Sequence, residues 1–135
     1  MQNSEAYFVG KRQLLGWVNE FLELELKKVE ELHTGWAYCQ LVDAIFPGQV
    51  KISKVDFHAK FDYEYLKNFK VMQDVFTKNQ VKKPVPMDKL IKGKYQDNFE
   101  FLQWFKSFFD ARYNGEPYNA EGRRAKMMKK KVISN

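Results

Sequence analysis

The 135-residue sequence predicts an all-α globule. Apolar residues recur at helical spacing in four separate runs. One run, about Asp97–Tyr113, is apolar around most of its circumference, so other helices must enclose it. With 44% hydrophobic and 16% aromatic residues the chain can bury one core and is too short for two.

Residues 1–10 read as an N-terminal extension. From Lys11, the stripe Leu14, Leu15, Val18, Phe21 and Leu22 predicts an amphipathic helix with Glu20 and Glu23 outward. Leu22, Leu24 and Leu26 alternate with Glu23 and Glu25, which also fits a short strand; a helix end is preferred because neither flank carries a turn signal. Thr34 as N-cap opens a second helix within Gly35–Gly48, which Pro47–Gly48 stops, with Cys39, Leu41, Val42, Ile45 and Phe46 inward. Gln49–Lys60 lacks a helical period and reads as a loop anchored by Val55 and Phe57.

A third helix spans Asp62–Lys78, with Tyr65, Leu66, Phe69, Met72 and Phe76 inward and Lys67, Lys70, Asp74 and Lys78 outward. Two prolines exclude Val81–Pro86 from any helix interior, and Pro86 opens a short helix Met87–Lys92 that Gly93 closes. Asp97 followed by Glu100 matches a capping box, which places the start of the central helix near Asp97. That helix carries Phe99, Leu102, Phe105, Phe108 and Phe109 on one face and Phe101, Trp104 and Phe108 on another. Gln96, Asn98 and Glu100 then cluster at its start beside Lys92 and Lys94, which marks a recognition surface built on a core element. Asn114–Gly122 reads as turn and linker, and Arg123–Lys131 as a tail of six basic residues without apolar periodicity.

The formal net charge of +6 is unevenly spread: residues 1–50 hold four Lys/Arg against seven Asp/Glu, whereas residues 51–94 hold eleven against five. Such asymmetry implies an acidic or polyanionic partner approached from one side. The single Cys39 precludes an internal disulfide, no apolar run approaches the roughly 20 residues of a membrane span, and residues 1–10 lack the apolar stretch of a signal peptide. A soluble intracellular protein without membrane contact is the expectation. Cys39 with His33 or His58 could nominally form a thiol–imidazole pair, but Cys39 falls on the inward helix face, where cysteine acts as a small hydrophobe. The histidines lie in no metal-ligand spacing, and Gly35, Gly48 and Gly93 are isolated, so no phosphate loop exists. The expectation is a binding module: no enzyme, no catalytic residue, no cofactor and no metal.

Three segments, GWAYCQLVDAIFPG, FDYEYLKNFKVMQ and VPMDKLIKGKYQDNFEFLQWFKSFFDA, closely resemble the amino-terminal domain of the microtubule end-binding proteins, in order and spacing, over roughly Leu14–Tyr118. The resemblance implies a calponin-homology fold, with helices around one central apolar helix, and a domain that binds the groove between tubulin dimers, prefers growing plus ends and holds no nucleotide. It divides the chain into an extension at 1–10, the microtubule-binding domain at 11–118 and a basic linker at 119–135. Carried over by position, the implied tubulin-facing residues are Lys11, Lys54, Lys60, Lys83, Lys89 and Lys94, with Gln96, Asn98 and Glu100 as the polar cluster. Ser53 and Asp56 stand where relatives carry lysine, and Trp36 where the residue is usually small. Family members continue into a coiled coil that dimerises and collects other end-tracking proteins; this chain is expected to be a monomeric fragment of such a protein, in the cytoplasm at microtubule plus ends and the spindle, regulating microtubule dynamics. An actin-binding calponin-homology module is the first alternative. A nucleic-acid-binding domain stacking bases on Tyr63, Tyr65 and Tyr95 is the second.

Overall fold

Helices form at each of the apolar periods, and one more forms where none is predicted. The computed structural model describes residues 10–126, so the extension before Gly10 and the basic tail beyond residue 126 lie outside the described residues. In order, the elements are α1 (Lys11–Leu22), a 3-10 turn (Val29–Thr34), α2 (Trp36–Ile45), a second 3-10 turn (Ile52–Lys54), α3 (Asp62–Lys78), α4 (Met87–Leu90) and α5 (Tyr95–Arg112), followed by a last helical segment, α6, at residues 120–126. No strand occurs among the described residues. The alternating stretch Leu22–Leu26, expected to be a helix end, is not one: α1 stops at Leu22, where Glu23 turns left-handed at φ 57°. The chain beyond is neither helical nor paired as a strand, because the Asn19 amide holds both backbone groups of Leu26, donating to its carbonyl at 3.0 Å and accepting its N–H at 2.9 Å.

α5 occupies the centre. Trp17 and Phe21 of α1 each set an edge against Phe109 at 5.0 Å. Tyr38 of α2 lies between Phe101 and Phe105 at 5.1 and 5.2 Å, and Phe76 of α3 meets Phe108 at 5.5 Å. Edge-on and tilted pairs of this kind contribute about 0.5–1.5 kcal/mol each beyond their buried area. A helix apolar on most sides is thus enclosed from most sides, as its composition requires.

Three local readings need correction. α5 begins at Tyr95, two residues before Asp97, with Lys94 as N-cap and no side chain capping it, so Asp97 and Glu100 form no capping box. The N-cap of α2 is Gly35, not Thr34. Gly35 has φ +81°, and a Cβ there would meet Asn68 and Phe69 at 3.0 Å, so close packing of α2 on α3 demands glycine. Third, the segment read as linker is folded through residue 126. Ala120 and Arg124 are buried, and Arg124 Nη1 donates to the Leu22 carbonyl and to Gln40 Oε1, both at 2.7 Å, while Nη2 donates to the Glu23 carbonyl at 3.1 Å. Arg124 therefore caps the C-terminal end of α1, where free carbonyls attract a cation. Next to it, Arg123 forks onto the buried Asp43 carboxylate at 2.9 and 3.0 Å, and the Tyr118 hydroxyl donates to the same carboxylate at 2.7 Å. Basic composition concealed this because both guanidinium groups satisfy acceptors belonging to distant helices.

Burial pushes the Cys39 thiol and the Tyr38 and Tyr118 hydroxyls upward from ordinary values of 9.0, 10.0 and 10.0, with the Asp43 carboxylate adding to the effect on Tyr118. The folded chain holds these three protons where the unfolded chain releases them. Stability is therefore fully present below about pH 9 and falls progressively as pH rises above it. Melting temperatures across pH 8–11 should trace this decline, and Tyr118→Phe should make it shallower.

Candidate functional site

The lysines around α3 owe their placement to one buried amide. Asn68 is fully buried; its Nδ2 donates to the Thr34 and Asp56 carbonyls at 2.9 and 3.0 Å, and its Oδ1 accepts the Asp56 N–H at 2.8 Å. This pins the Gln49–Lys60 loop across α2 and α3. Lys54 and Lys60 then stand exposed at either side of the pinned residue. The Lys60 and Phe61 N–H groups both donate to Glu64 Oε1, at 2.7 and 3.0 Å, fixing the loop's exit to the first turn of α3.

Lys54, Lys67 and Lys70 border one shallow cleft beside Ser53 and Tyr63, and Lys70 borders the next with Lys89 and Pro86. A file of exposed lysines, with the exposed carboxylates of Asp74 and Asp88 among them, thus follows the outer side of α3, joining Lys54 and Lys89 from separate parts of the sequence. Ser53 is exposed within this file, and Asp56 spends its carboxylate on the His58 N–H at 2.9 Å. Ser53 and Asp56 therefore hold a solvated hydroxyl and a turn cap.

At the start of α5, Gln96 and Glu100 are exposed and bonded to each other, Gln96 Nε2 donating to Glu100 Oε2 at 2.8 Å. Asn98 does not belong to this surface. It is fully buried, and its Nδ2 donates to the Leu90 and Lys94 carbonyls at 3.2 and 2.9 Å, tying α4 and its closing turn to α5. The tubulin-facing role expected for Asn98 is withdrawn: its odd-numbered neighbours are half-buried too, and the α5 start turns only Lys94, Gln96 and Glu100 fully outward. Gly93, at φ +74°, sits against the His33 ring, while His33 Nδ1 lies 3.2 Å from the Ile91 carbonyl, so the 3-10 turn supports the loop that presents Lys94.

Lys11 lies over the Tyr95 ring at 5.4 Å and borders a cleft with Arg12, Lys27 and Lys28. These are all four cations of the otherwise acidic first 50 residues. Sequence reasoning selected only Lys11, because nothing local signals that residues sixteen apart share a cleft. Lys83 is half-buried with its ammonium 5.4 Å above the Trp104 ring, well along α5 from Lys94, and it borders none of these clefts. Trp36 is accommodated by an edge-to-face contact with Phe57 at 5.4 Å and by the Arg124 guanidinium at 5.9 Å.

Cys39 is buried, its thiol donating to the Asn68 carbonyl at 3.1 Å, and the nearest ring to His33 is Tyr65 at 4.6 Å, while His58 is exposed. No group of three His, Cys, Asp or Glu among the described residues could hold a metal ion, and none of the described helices is long and apolar enough to cross a membrane. A base-stacking platform also fails to assemble. Tyr65 packs on His33, Tyr95 stacks on Phe99 at 5.3 Å, and only Tyr63 is exposed.

Two comparisons bear on this architecture. The profile of the calponin homology (CH) domain matches residues 9–114. A solved chain from work on the structural basis of microtubule plus end tracking by XMAP215, CLIP-170 and EB1 superposes with a TM-score of 0.82 at 40% sequence identity, covering 86% of this chain and 98% of that one.

Proposed function

The chain belongs to the calponin homology domain family, and on that premise we propose that it binds microtubules at the groove between tubulin dimers and prefers growing plus ends. The observation that carries this is the file of exposed lysines along α3 and at the α5 start, on a domain 40% identical to one from a study of plus end tracking. Lys54, Lys60, Lys89, Lys94 and Lys11 supply general attraction to an acidic polymer. Each exposed pair contributes only about 0.2–1 kcal/mol, so attachment depends on several together and weakens with salt. Gln96, oriented by Glu100, supplies a directional contact that depends on geometry more steeply than charge attraction does. Lys83 contributes less than the others, since its ammonium is already held by Trp104. In the cell this reading places the protein on the microtubule cytoskeleton, at plus ends and on the spindle, as the domain of a coiled-coil dimer that recruits other end-tracking proteins and regulates microtubule dynamics.

Co-sedimentation with microtubules and, separately, with actin filaments tests the premise: pelleting with microtubules alone is expected, and pelleting with actin alone would replace it by the actin-binding alternative. A fluorescent, artificially dimerised chain on dynamic microtubules tests the division of labour. Gln96→Ala should lower the ratio of end to lattice signal by about threefold or more, the scale of one directional hydrogen bond. Lys89→Ala should lower both signals alike and leave the ratio in place. Equal loss in both variants would refute the distinction.

A further inference from the structure

Two large aromatic rings stand in water, and they are neighbours. Phe61 is 58% and Tyr63 66% exposed, with ring planes parallel within 2° and centroids 5.9 Å apart. Every other Phe, Tyr and Trp among the described residues is at least half-buried. A single exposed apolar side chain needs no explanation, but two adjacent stacked rings form a patch of the kind found at interaction sites. Neither ring supports the core, since α3 buries Phe69, Met72, Val75 and Phe76 instead.

The position of the patch indicates its occupant. The shared bond of the Lys60 and Phe61 N–H groups to Glu64 makes Lys60, Phe61 and the first turn of α3 one rigid unit, and Tyr63 borders the cleft that holds Lys54, Lys67 and Lys70. A partner seated on Lys54 and Lys60 must therefore also meet the two rings. Of the carboxylates nearby, Glu64 and Asp56 are engaged with backbone N–H groups, Asp62 lies in the first turn of α3, where a negative charge is satisfied by the helix end, and the exposed Asp74 shares the cleft with Lys54, Lys67 and Lys70. Lysines alone would give an interface of rim contacts without an anchor, whereas interfaces draw most of their energy from a few buried aromatic or arginine side chains.

We infer that Phe61 and Tyr63 are the apolar anchor of the microtubule-binding face, seated in a shallow apolar hollow of the tubulin surface while the lysines around them pair with its carboxylates. This rests on the microtubule-binding reading. The anchor supplies affinity that salt does not screen, and the lysines supply the part that it does.

The test is microtubule affinity of the 135-residue chain over a range of salt concentrations, for wild type, Phe61→Ala/Tyr63→Ala, and Lys60→Ala. The aromatic double variant should keep the wild-type melting temperature and raise Kd about tenfold or more at every salt concentration, leaving the salt dependence unchanged. Lys60→Ala should instead flatten the salt dependence, and Phe61→Leu/Tyr63→Trp should restore most of the affinity. A double variant within twofold of wild type would overturn the inference, as would a loss accompanied by a flattened salt dependence, or rings that mediate self-association of the chain without affecting its microtubule affinity. Wild type that fails to bind microtubules even at low salt would instead overturn the functional reading, and the anchor with it.

Discussion

Asn68→Ala should lower the melting temperature by on the order of 10 °C and weaken microtubule binding at the same time. The side chain is fully buried and makes three bonds to backbone groups of Thr34 and Asp56. Removing it leaves one N–H and two carbonyls to find other partners, at about 1–3 kcal/mol for each that stays dry. A net loss of about 3 kcal/mol in a chain of this length converts to roughly the stated shift. The binding effect follows from position, because Asp56 lies between Lys54 and Lys60 and its backbone is what Asn68 holds. Asn68→Asp discriminates hydrogen bonding from packing. It is nearly isosteric, yet two of the three bonds require an N–H donor, so it should be no better than alanine. If Asn68→Asp kept most of the stability, the amide would matter for its shape alone.

Arg124→Ala should cost a similar amount by a different route. Three acceptors on α1 and α2 lose a common donor, and at about 1–3 kcal/mol for each one left unsatisfied, a loss of about 3 kcal/mol is expected. Lysine at this position should rescue little, because one ammonium cannot reproduce a planar fork that spans the Leu22, Glu23 and Gln40 oxygens. Hydrogen exchange gives the distinguishing readout: amides of residues 118–126 should lose protection while those of α3 keep theirs, marking α6 as a unit that opens before the core. A melting temperature within about 2 °C of wild type would mean that water replaces the guanidinium at little cost and that α6 docks without it.

Both residues escaped the sequence, and for related reasons. Asn68 sits within a stripe whose apolar members, Phe69, Met72 and Phe76, were identified as inward, but an asparagine there carries no local sign that its amide is needed by a loop twelve residues earlier and a turn thirty-four residues earlier. Arg124 lies in a run of basic residues that reads as solvated tail. Its buried role depends on the carbonyls that end α1, about a hundred residues away. Asn98 is the converse case, a polar residue expected to face a partner whose Nδ2 is instead held by the Leu90 and Lys94 carbonyls inside the fold. The lysines at 54, 60, 89 and 94 were legible as exposed because burying an ammonium is costly wherever the chain goes.

The sequence alone determined the all-helical class, the start of α1, the bounds of α3, and the central place of α5, because apolar periodicity is a local property and an apolar helix has only one way to avoid water. Tertiary structure decided which amides and guanidinium groups turn inward, how Lys11 comes to share a cleft with Lys27 and Lys28, and that the folded unit extends through residue 126. Those outcomes depend on which backbone groups a distant segment leaves unpaired, and that becomes defined only when the segments meet.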